Sequence, residues 1–504
     1  MDISLKKEDY KILQVIKENS VEECVESDFS LPEYMPEILR IIKSTAQPKI
    51  NSCRAVGERV TVDGECELRM LYTAEDGGIY AFSQSRPFTR HCENVVFNTA
   101  TDIKGEVNVS FVNCRATSTK RAEIKAGLVI KITAFTEEVE EVIALEPNTC
   151  IEEKCVNVTA MSSGCKKTRS FSMSDTIALP APCAFVVSTR ANAICTEIKK
   201  ISNKIMVKGD ATVEICYVDA NDKAVTQHLK HSLPINQILE FEGMEEAFDG
   251  SVGLTVTAID VMLKGDNSGT LDLALGIDAS ACMWEQRELS LICDAYAVGG
   301  SVELKRKPHV YFTNPQAITD TFVFKSDFQV AGEGVSRVLD AIGEITNVNV
   351  KRENGVLSIC GCVNMSLLVR DLSGSLSGIN KMLDFEYEAK SEGSSDEIFC
   401  LPNIFVMSLD CAEKGNNAID VRAEIYINAM VLDKICIDTV TDITESEARV
   451  QRKGNAITVY FPEGAESLWS IARRYNTTVR AIAEENGLEG DTTESLKIIF
   501  IPAV

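Results

Sequence analysis

No stretch of the 504-residue chain holds the roughly 18 consecutive apolar residues that a bilayer-spanning helix requires, so no transmembrane segment is expected. Basic residues are in deficit as well. The 51 Lys and Arg stand against 75 Asp and Glu, a formal charge of −24, and such a field repels phosphates and anionic headgroups, which argues against nucleic acid as a partner. The opening MDISLKKEDYKILQVIKENS is charged at Asp2, Lys6, Lys7, Glu8 and Asp9, and so lacks the apolar core of a signal peptide. There is no low-complexity tract. With 45% apolar and 25% charged content, the chain has material for about three or four domains.

Histidine is scarce, and none of His91, His228, His231 and His309 begins the His-Glu-x-x-His motif of a zinc protease. All four are expected at the surface. No phosphate-binding Gly-x-x-x-x-Gly-Lys-Ser/Thr occurs, and the nearest glycine cluster, GSLSG at Gly374, falls in a predicted hairpin turn. Carboxylates are too abundant in so acidic a chain for any two to define an acid/base pair. The sequence therefore offers no catalytic residue, no metal site and no cofactor.

Cysteine, by contrast, is plentiful at 18 residues. A chain of this size needs no disulfide framework, and Cys66 in TVDGECELRMLY and Cys216 in ATVEICYV occupy apolar positions of strand-like runs. They read as reduced thiols acting as small hydrophobes, which implies a reducing cytosol. The Asn108-Val-Ser and Asn476-Thr-Thr sequons then carry no meaning for glycosylation. Cys360-Gly-Cys362 places both thiols on one strand face, and neither this pair nor Cys150 with Cys155 has partner cysteines at a metal-site spacing.

An internal repeat organises the rest. VDGECELRMLYTAEDGG from Val62, VKGDATVEICYVDANDK from Val207 and CGCVNMSLLVRDLSGS from Cys360 share a strand, a turn and the start of a second strand. Gly64, Gly209 and Gly361 precede the residues closing the apolar runs, Tyr72, Tyr217 and Val369, and turns centred on Asp76-Gly77, Asn221-Asp222 and Ser373-Gly374 predict hairpins. The glycines lie 145 and 152 residues apart. A second element, AEIKAGLVIKI from Ala122, GTLDLALGIDAS from Gly269 and NAIDVRAEIYIN from Asn417, has Ile124, Leu271 and Ile419 at spacings of 147 and 148. Two elements keep one period, the mark of a repeat. Alternation such as Leu271, Leu273, Leu275 and Ile277 predicts half-buried antiparallel strands and hence β-sandwich or barrel-like units.

Helical spacing appears in two places. Ile3, Tyr10, Leu13 and Ile16 suggest an N-terminal amphipathic helix, and Leu468, Ile471, Ala472 and Tyr475 another near the C-terminus. The segment SLPEYMPEILRIIKSTAQPKI, Ser30 to Ile50, reads as an extended entry followed by a short helix. TDITESEARVQRKGN, Thr441 to Asn455, reads as a tether.

The Pro-Glu-Tyr-x-Pro-Glu-Ile phrase at Pro32, together with the downstream GECELRMLY, resembles the SPOCS domain of spore-coat proteins from endospore-forming Firmicutes. The later units keep the strand pattern but lose the phrase, with SDTIALPAP from Ser174 and KSDFQVAGEGVSRVLDAI from Lys325 in its place. The last 49 residues resemble a LysM domain, which implies a βααβ order: a strand at Ile457 to Tyr460, a helix opened by Ser467-Leu468-Trp469, a second capped by Thr478, and a strand at Ile498 to Pro502. Ser467 is a suitable N-cap. The family's Gly-Asp-Thr becomes Ala465-Glu466-Ser467, Gly464 is shifted by one, and Leu496 replaces the glycine before the last strand. These departures lie in the loops that form the sugar groove in glycan-binding members.

Together the two resemblances match SipL-like spore-coat morphogenesis proteins of endospore-forming Clostridia. The expected architecture is mainly β: an N-terminal amphipathic helix (1–27), three SPOCS-like β-sandwich or barrel repeats (28–170, 171–310, 311–440), a linker (441–455) and a small α+β LysM domain (456–504). The resemblance implies a non-enzymatic scaffold in the mother-cell cytoplasm, at the forespore surface and spore coat. Its LysM domain would dock on the ATPase of the coat basement layer, and its β-domains would recruit other coat proteins. The alternative is a glycan-binding protein of cell wall or spore cortex, with peptidoglycan as ligand. Candidate partner- or glycan-binding residues are Ser467, Trp469, Arg473, Asn476, Arg480 and Asn486. Trp469 has two readings, core packing beside Leu468 or part of a partner-facing surface with Arg473, Arg474 and Arg480.

Overall fold

A computed structural model of the chain describes residues 5–94, 97, 102–146, 150–222, 225–240, 249–264, 269–330, 334–393, 395–415, 417–446, 457–462, 466–488 and 498–502. The first six strands are β1 (Leu5–Ser30), β2 (Arg40–Val56), β3 (Arg59–Thr73), β4 (Ile79–Glu93), β5 (Asp102–Ser118) and β6 (Arg121–Leu145). β2, β3 and β4 form one antiparallel sheet, and β5, β6 and β1 are neighbours in another. The same pairing recurs twice. It is seen in β7 (Ile151–Ala178), β8 (Cys183–Ile201), β9 (Lys204–Asp219), β10 (Thr226–Glu240), β11 (Asp249–Leu263) and β12 (Thr270–Ala297), and again in β13 (Val302–Gln329), β14 (Val335–Glu353), β15 (Val356–Asp371), β16 (Leu376–Lys390), β17 (Ile398–Gly415) and β18 (Ala418–Glu445).

Each set buries its own core through alternation. Val62, Leu68, Met70 and Tyr72 of β3 meet Ile124, Leu128 and Ile130 of β6, while the intervening residues lie on the other face of the strand. The repeated glycine has a steric cause. Each faces β2, β8 or β14 near a bulge, at Ile50/Ser52, Cys195/Glu197 and Thr346/Asn349. A Cβ at Gly64 would strike the Lys49 carbonyl and the Phe88 ring, and one at Gly209 the Ile194 carbonyl. The tyrosines closing the runs anchor the entry segments: Tyr72 donates to Pro36 O at 3.0 Å and Tyr217 to Ala181 O at 3.1 Å. The hairpins expected at Asp76-Gly77, Asn221-Asp222 and Ser373-Gly374 join β3 to β4, β9 to β10 and β15 to β16.

The structure corrects several expectations. Residues 5–30 form a strand, not a helix: β1 pairs with β6 from Leu5↔Leu145 to Ser30↔Arg121, and this long-range ladder outweighs a local helical period. Val25 and Phe29 thereby enter the first core. The short helix expected before Ile50 is also absent, because Arg40 to Val56 pair along β3. β7 and β13 run through the expected boundaries at 170 and 310, although Ile177 and Ile318 fall in the second and third cores, on the side of those boundaries expected for them. Thr441 to Glu445 complete β18 against Val302; residues 447–455 of the expected tether lie outside the described residues.

The three sets close on one another. Ile42, Leu71 and Ile79 of the first, Val187, Cys216 and Val218 of the second, and Leu339, Leu368 and Leu376 of the third share one apolar cluster. Ile42, Val187 and Leu339 occupy matching bulges, so the cluster lies on a pseudo-threefold axis. Around it, Arg69 donates to Val187 O at 2.8 Å and Thr226 to Leu339 O at 3.2 Å, while Gly378 abuts the Ile42 carbonyl. First meets second, second meets third, and third meets first. The far ends of the long strands continue as the ribbons β1–β6, β7–β12 and β13–β18, which pack together through Ile143, Ile151, Ile292, Val440 and Ile443; a bridge at Ile12↔Ser162 joins β1 to β7, so the first two sets share one six-stranded sheet. The C-terminal module follows, with β19 (Ile457–Tyr460), α1 (Leu468–Tyr475), α2 (Val479–Asn486) and β20 (Ile499–Pro502).

Candidate functional site

The module folds as its sequence expects. Ser467 caps α1 by accepting from Ser470 N, and Thr478 caps α2 by accepting from Ala481 N. Leu468, Ile471, Ala472 and Ile482 are buried with Ile499 and Ile501; Tyr475 is exposed and meets Tyr460 edge to face.

The six candidate residues separate into three roles. Ser467 and Asn486 are structural. The Asn486 amide donates to Ile482 O at 2.8 Å and Phe500 O at 2.6 Å, and it accepts from Phe500 N at 2.7 Å, stitching α2 to β20. Arg480 stands on the surface, where it bonds Glu484 one turn away at 2.7 Å. Trp469, Arg473 and Asn476 converge on the end of β12.

There Asp294 accepts from Trp469 Nε1 at 2.9 Å, Arg473 Nη1 at 2.8 Å and Arg306 Nη2 at 2.6 Å. Tyr296 lies edge to face on Trp469, with centroids 4.8 Å apart, and donates its hydroxyl to Thr477 O at 2.9 Å. Asn476 caps α1 in the left-handed conformation, with φ 56°, and accepts from Gly299 N at 3.0 Å. Val298 completes the seat beside Leu468 and Ile471. Burial pushes the Tyr296 phenol far up, so it stays a donor. The Trp469 ring packs against Tyr296, and its N–H engages a surface of the same chain. Asp294 and Tyr296 were missed in the sequence because nothing local in β12 marks the end of a strand as a receptor. The groove-loop positions Gly464, Ala465 and Leu496 lie outside the described residues.

A second polar group sits on the pseudo-threefold axis. Lys43 donates to Asp340 at 3.3 Å and to Ser366 O at 3.0 Å, and Ser188 reaches Asp340 at 3.4 Å. Burial pulls the Lys43 ammonium down from its usual range, opposed by Asp340. Cys216, His228 and Asp340 place ligand-type atoms within 4.8 Å of one another, with the Lys43 ammonium as the neighbouring cation. His228 also contacts Leu339 O at 2.5 Å. These residues are remote in sequence, which hides the cluster from motif reading.

His309 is a correction. It is 9% exposed, inside the packed ribbons, 3.3 Å from Glu140. The described cysteines are all free. Cys66 and Cys216 are buried as expected, and so are Cys92 and Cys183, but Cys24, Cys150, Cys155, Cys360 and Cys436 are exposed. Cys362 is raised first by its bond to Asp384 and then by burial.

Comparison with known families places these features. The SipL, SPOCS domain model matches residues 37–117 and 185–264, and the LysM domain model matches residues 465–498. The chain combines SPOCS domains with a C-terminal LysM domain. The two SPOCS matches cover β2 to β5 and β8 to β11, the same four strands of successive sets. No curated protein and no solved structure matches the chain. SPOCS and LysM domains are non-catalytic binding domains. Among the described residues no helix is long and apolar enough to cross a membrane.

Proposed function

We propose that the protein is a non-enzymatic scaffold of spore-coat assembly. Its LysM domain docks on the coat basement-layer ATPase at the forespore surface, within the mother-cell cytoplasm, and its β-domains recruit other coat proteins. All three strand sets act as SPOCS units, beginning near residues 5, 151 and 302 and each built as a sandwich, with 447–456 joining them to LysM. Repeated weak sites on one chain raise the effective concentration of partners at a polymerised layer, so assembly needs no single tight interface.

The observation that carries this reading is the seat of Trp469 and Arg473 on Asp294 and Tyr296. The α1 face of LysM is chemically suited to a protein surface bearing a carboxylate and an aromatic ring. A crevice lined by Thr45, Gln47, Glu67, Arg69, Ser188 and Ile342 encloses only about 10 Å³, room for about one water and far below a substrate pocket. Its charged pair is already matched, Arg69 to Glu67 at 3.0 Å, which favours a scaffold over an enzyme.

A fluorescent fusion imaged during sporulation, with and without residues 456–504, tests the docking role. The full chain should encircle the forespore and the truncated chain should disperse; a truncated chain that still encircles it would remove LysM from the function. The peptidoglycan alternative is tested by sedimentation of the full chain with insoluble peptidoglycan. Retention that soluble glycan oligomers compete away would replace the scaffold reading with a glycan-binding one.

A further inference from the structure

The contact between LysM and β12 shows what the α1 surface recognises. Asp294 and Tyr296 alternate along the end of β12 and Val298 follows in the turn just beyond it; all three contact the domain, while Ala295 and Ala297 pack into the ribbons. Each receives a distinct complement: two donors for the carboxylate, the Thr477 carbonyl for the phenol, and the Leu468–Ile471 core edge for the valine. The N–H of Gly299, in the same turn with φ 83°, donates to Asn476.

We propose that this surface of LysM is a receptor for an acidic segment of the pattern carboxylate-x-aromatic-x-aliphatic that leads from a strand into a turn, and that the chain's own Asp294–Val298 occupies it as a latch. A protein partner engages Trp469, Arg473 and Asn476 by presenting the same pattern and displacing the internal copy. This rests on the reading of LysM as a protein-docking domain and names the chemistry of its partner.

The connection favours the latched form. Ser446 donates to Ser301 O at 2.9 Å, so the segment leading to LysM leaves the ribbons beside Gly299. Its ten residues reach at most about 36 Å, which holds the domain near its seat at high effective concentration. An external segment then binds with an apparent affinity reduced by the fraction of time the latch is open.

The test uses the full chain with Trp284→Phe, which leaves Trp469 as the single tryptophan, and no partner is required. Adding Asp294→Ala should move Trp469 emission to longer wavelength and increase acrylamide quenching about threefold or more. Val298→Asp, which keeps the carboxylate and spoils the apolar seat, should do the same. Unchanged emission and quenching in both variants would overturn the latch. A synthetic peptide of residues 291–299, with serine at 293, is then titrated into the Asp294→Ala chain. It should restore the short-wavelength emission at a concentration at least tenfold below that needed to bind the chain with Asp294 intact, and its Asp294→Asn form should not. Latch opening without recovery by the peptide would overturn recognition of the segment in trans. Neither result touches the forespore imaging, so the two readings fail separately.

Discussion

Lys43 and Asp340 lie 297 residues apart in the chain and 3.3 Å apart in space, with both side chains 2% exposed. They occupy the same position in two different strand sets, one after the bulges at Ile42 and Leu339, and Ser188 occupies it in the remaining set. A repeated position has thus become a base, a hydroxyl and an acid that meet where the three sets close.

Removing one member leaves a buried charge unmatched. Lys43→Met should cost about 3–5 kcal/mol, whereas Lys43→Met with Asp340→Leu should recover most of the loss. Denaturant unfolding of the two single variants and the double variant measures this. Equal losses in single and double variants would mean that the pair does not act as a unit.

Gly209→Ala should destabilise the second set by about 1–3 kcal/mol, since the new Cβ meets the Ile194 carbonyl of a paired strand and not a movable side chain. Gly253→Ala, with open space around it, is the matched control and should leave the melting temperature nearly unchanged.

Stability should fall in alkali. Burial pushes the Cys66, Cys400 and Cys411 thiols up to about 12, and Cys114 and Cys183 to about 11. Their unfolded forms ionise near the ordinary thiol value, so above about pH 9 the unfolded state holds fewer protons than the folded one. Each such thiol then removes about 1.4 kcal/mol per pH unit until its folded value is reached. Unfolding free energies between pH 8 and 10.5 should decline, and Cys66→Ala should make the decline shallower.

Asn486→Ala should unfold LysM locally, costing about 1–3 kcal/mol through its lost bonds to Ile482 and Phe500. Hydrogen exchange across α2 should accelerate while β3 and β9 remain protected. Arg480→Ala, whose side chain is 86% exposed, should change stability by under about 0.5 kcal/mol. Loss of partner binding in Arg480→Ala would therefore report a contact, and in Asn486→Ala a fold.

Strand content, hairpins and the LysM elements were legible because each rests on local spacing: the glycine eight residues before Tyr72, the turn at Asp76-Gly77, the cap at Ser467. β1 was not, because its helical spacing is overridden by a partner more than 100 residues away. The role of Trp469 was half legible. Its helix could be read, but the carboxylate that receives it lies 175 residues earlier on another element. His309 and Lys43 show the same limit, since neither Glu140 nor Asp340 is near its partner in sequence.

The closed arrangement around Ile42, Val187 and Leu339 also governs how the molecule can be dissected. Each set gives one face to the next and receives one from the last, so an intact chain has no spare copy of either. Deleting a set would uncover one of each, complementary and apolar, and the shortened chains would associate head to tail. Self-association of such a fragment would describe the cut, not the parent.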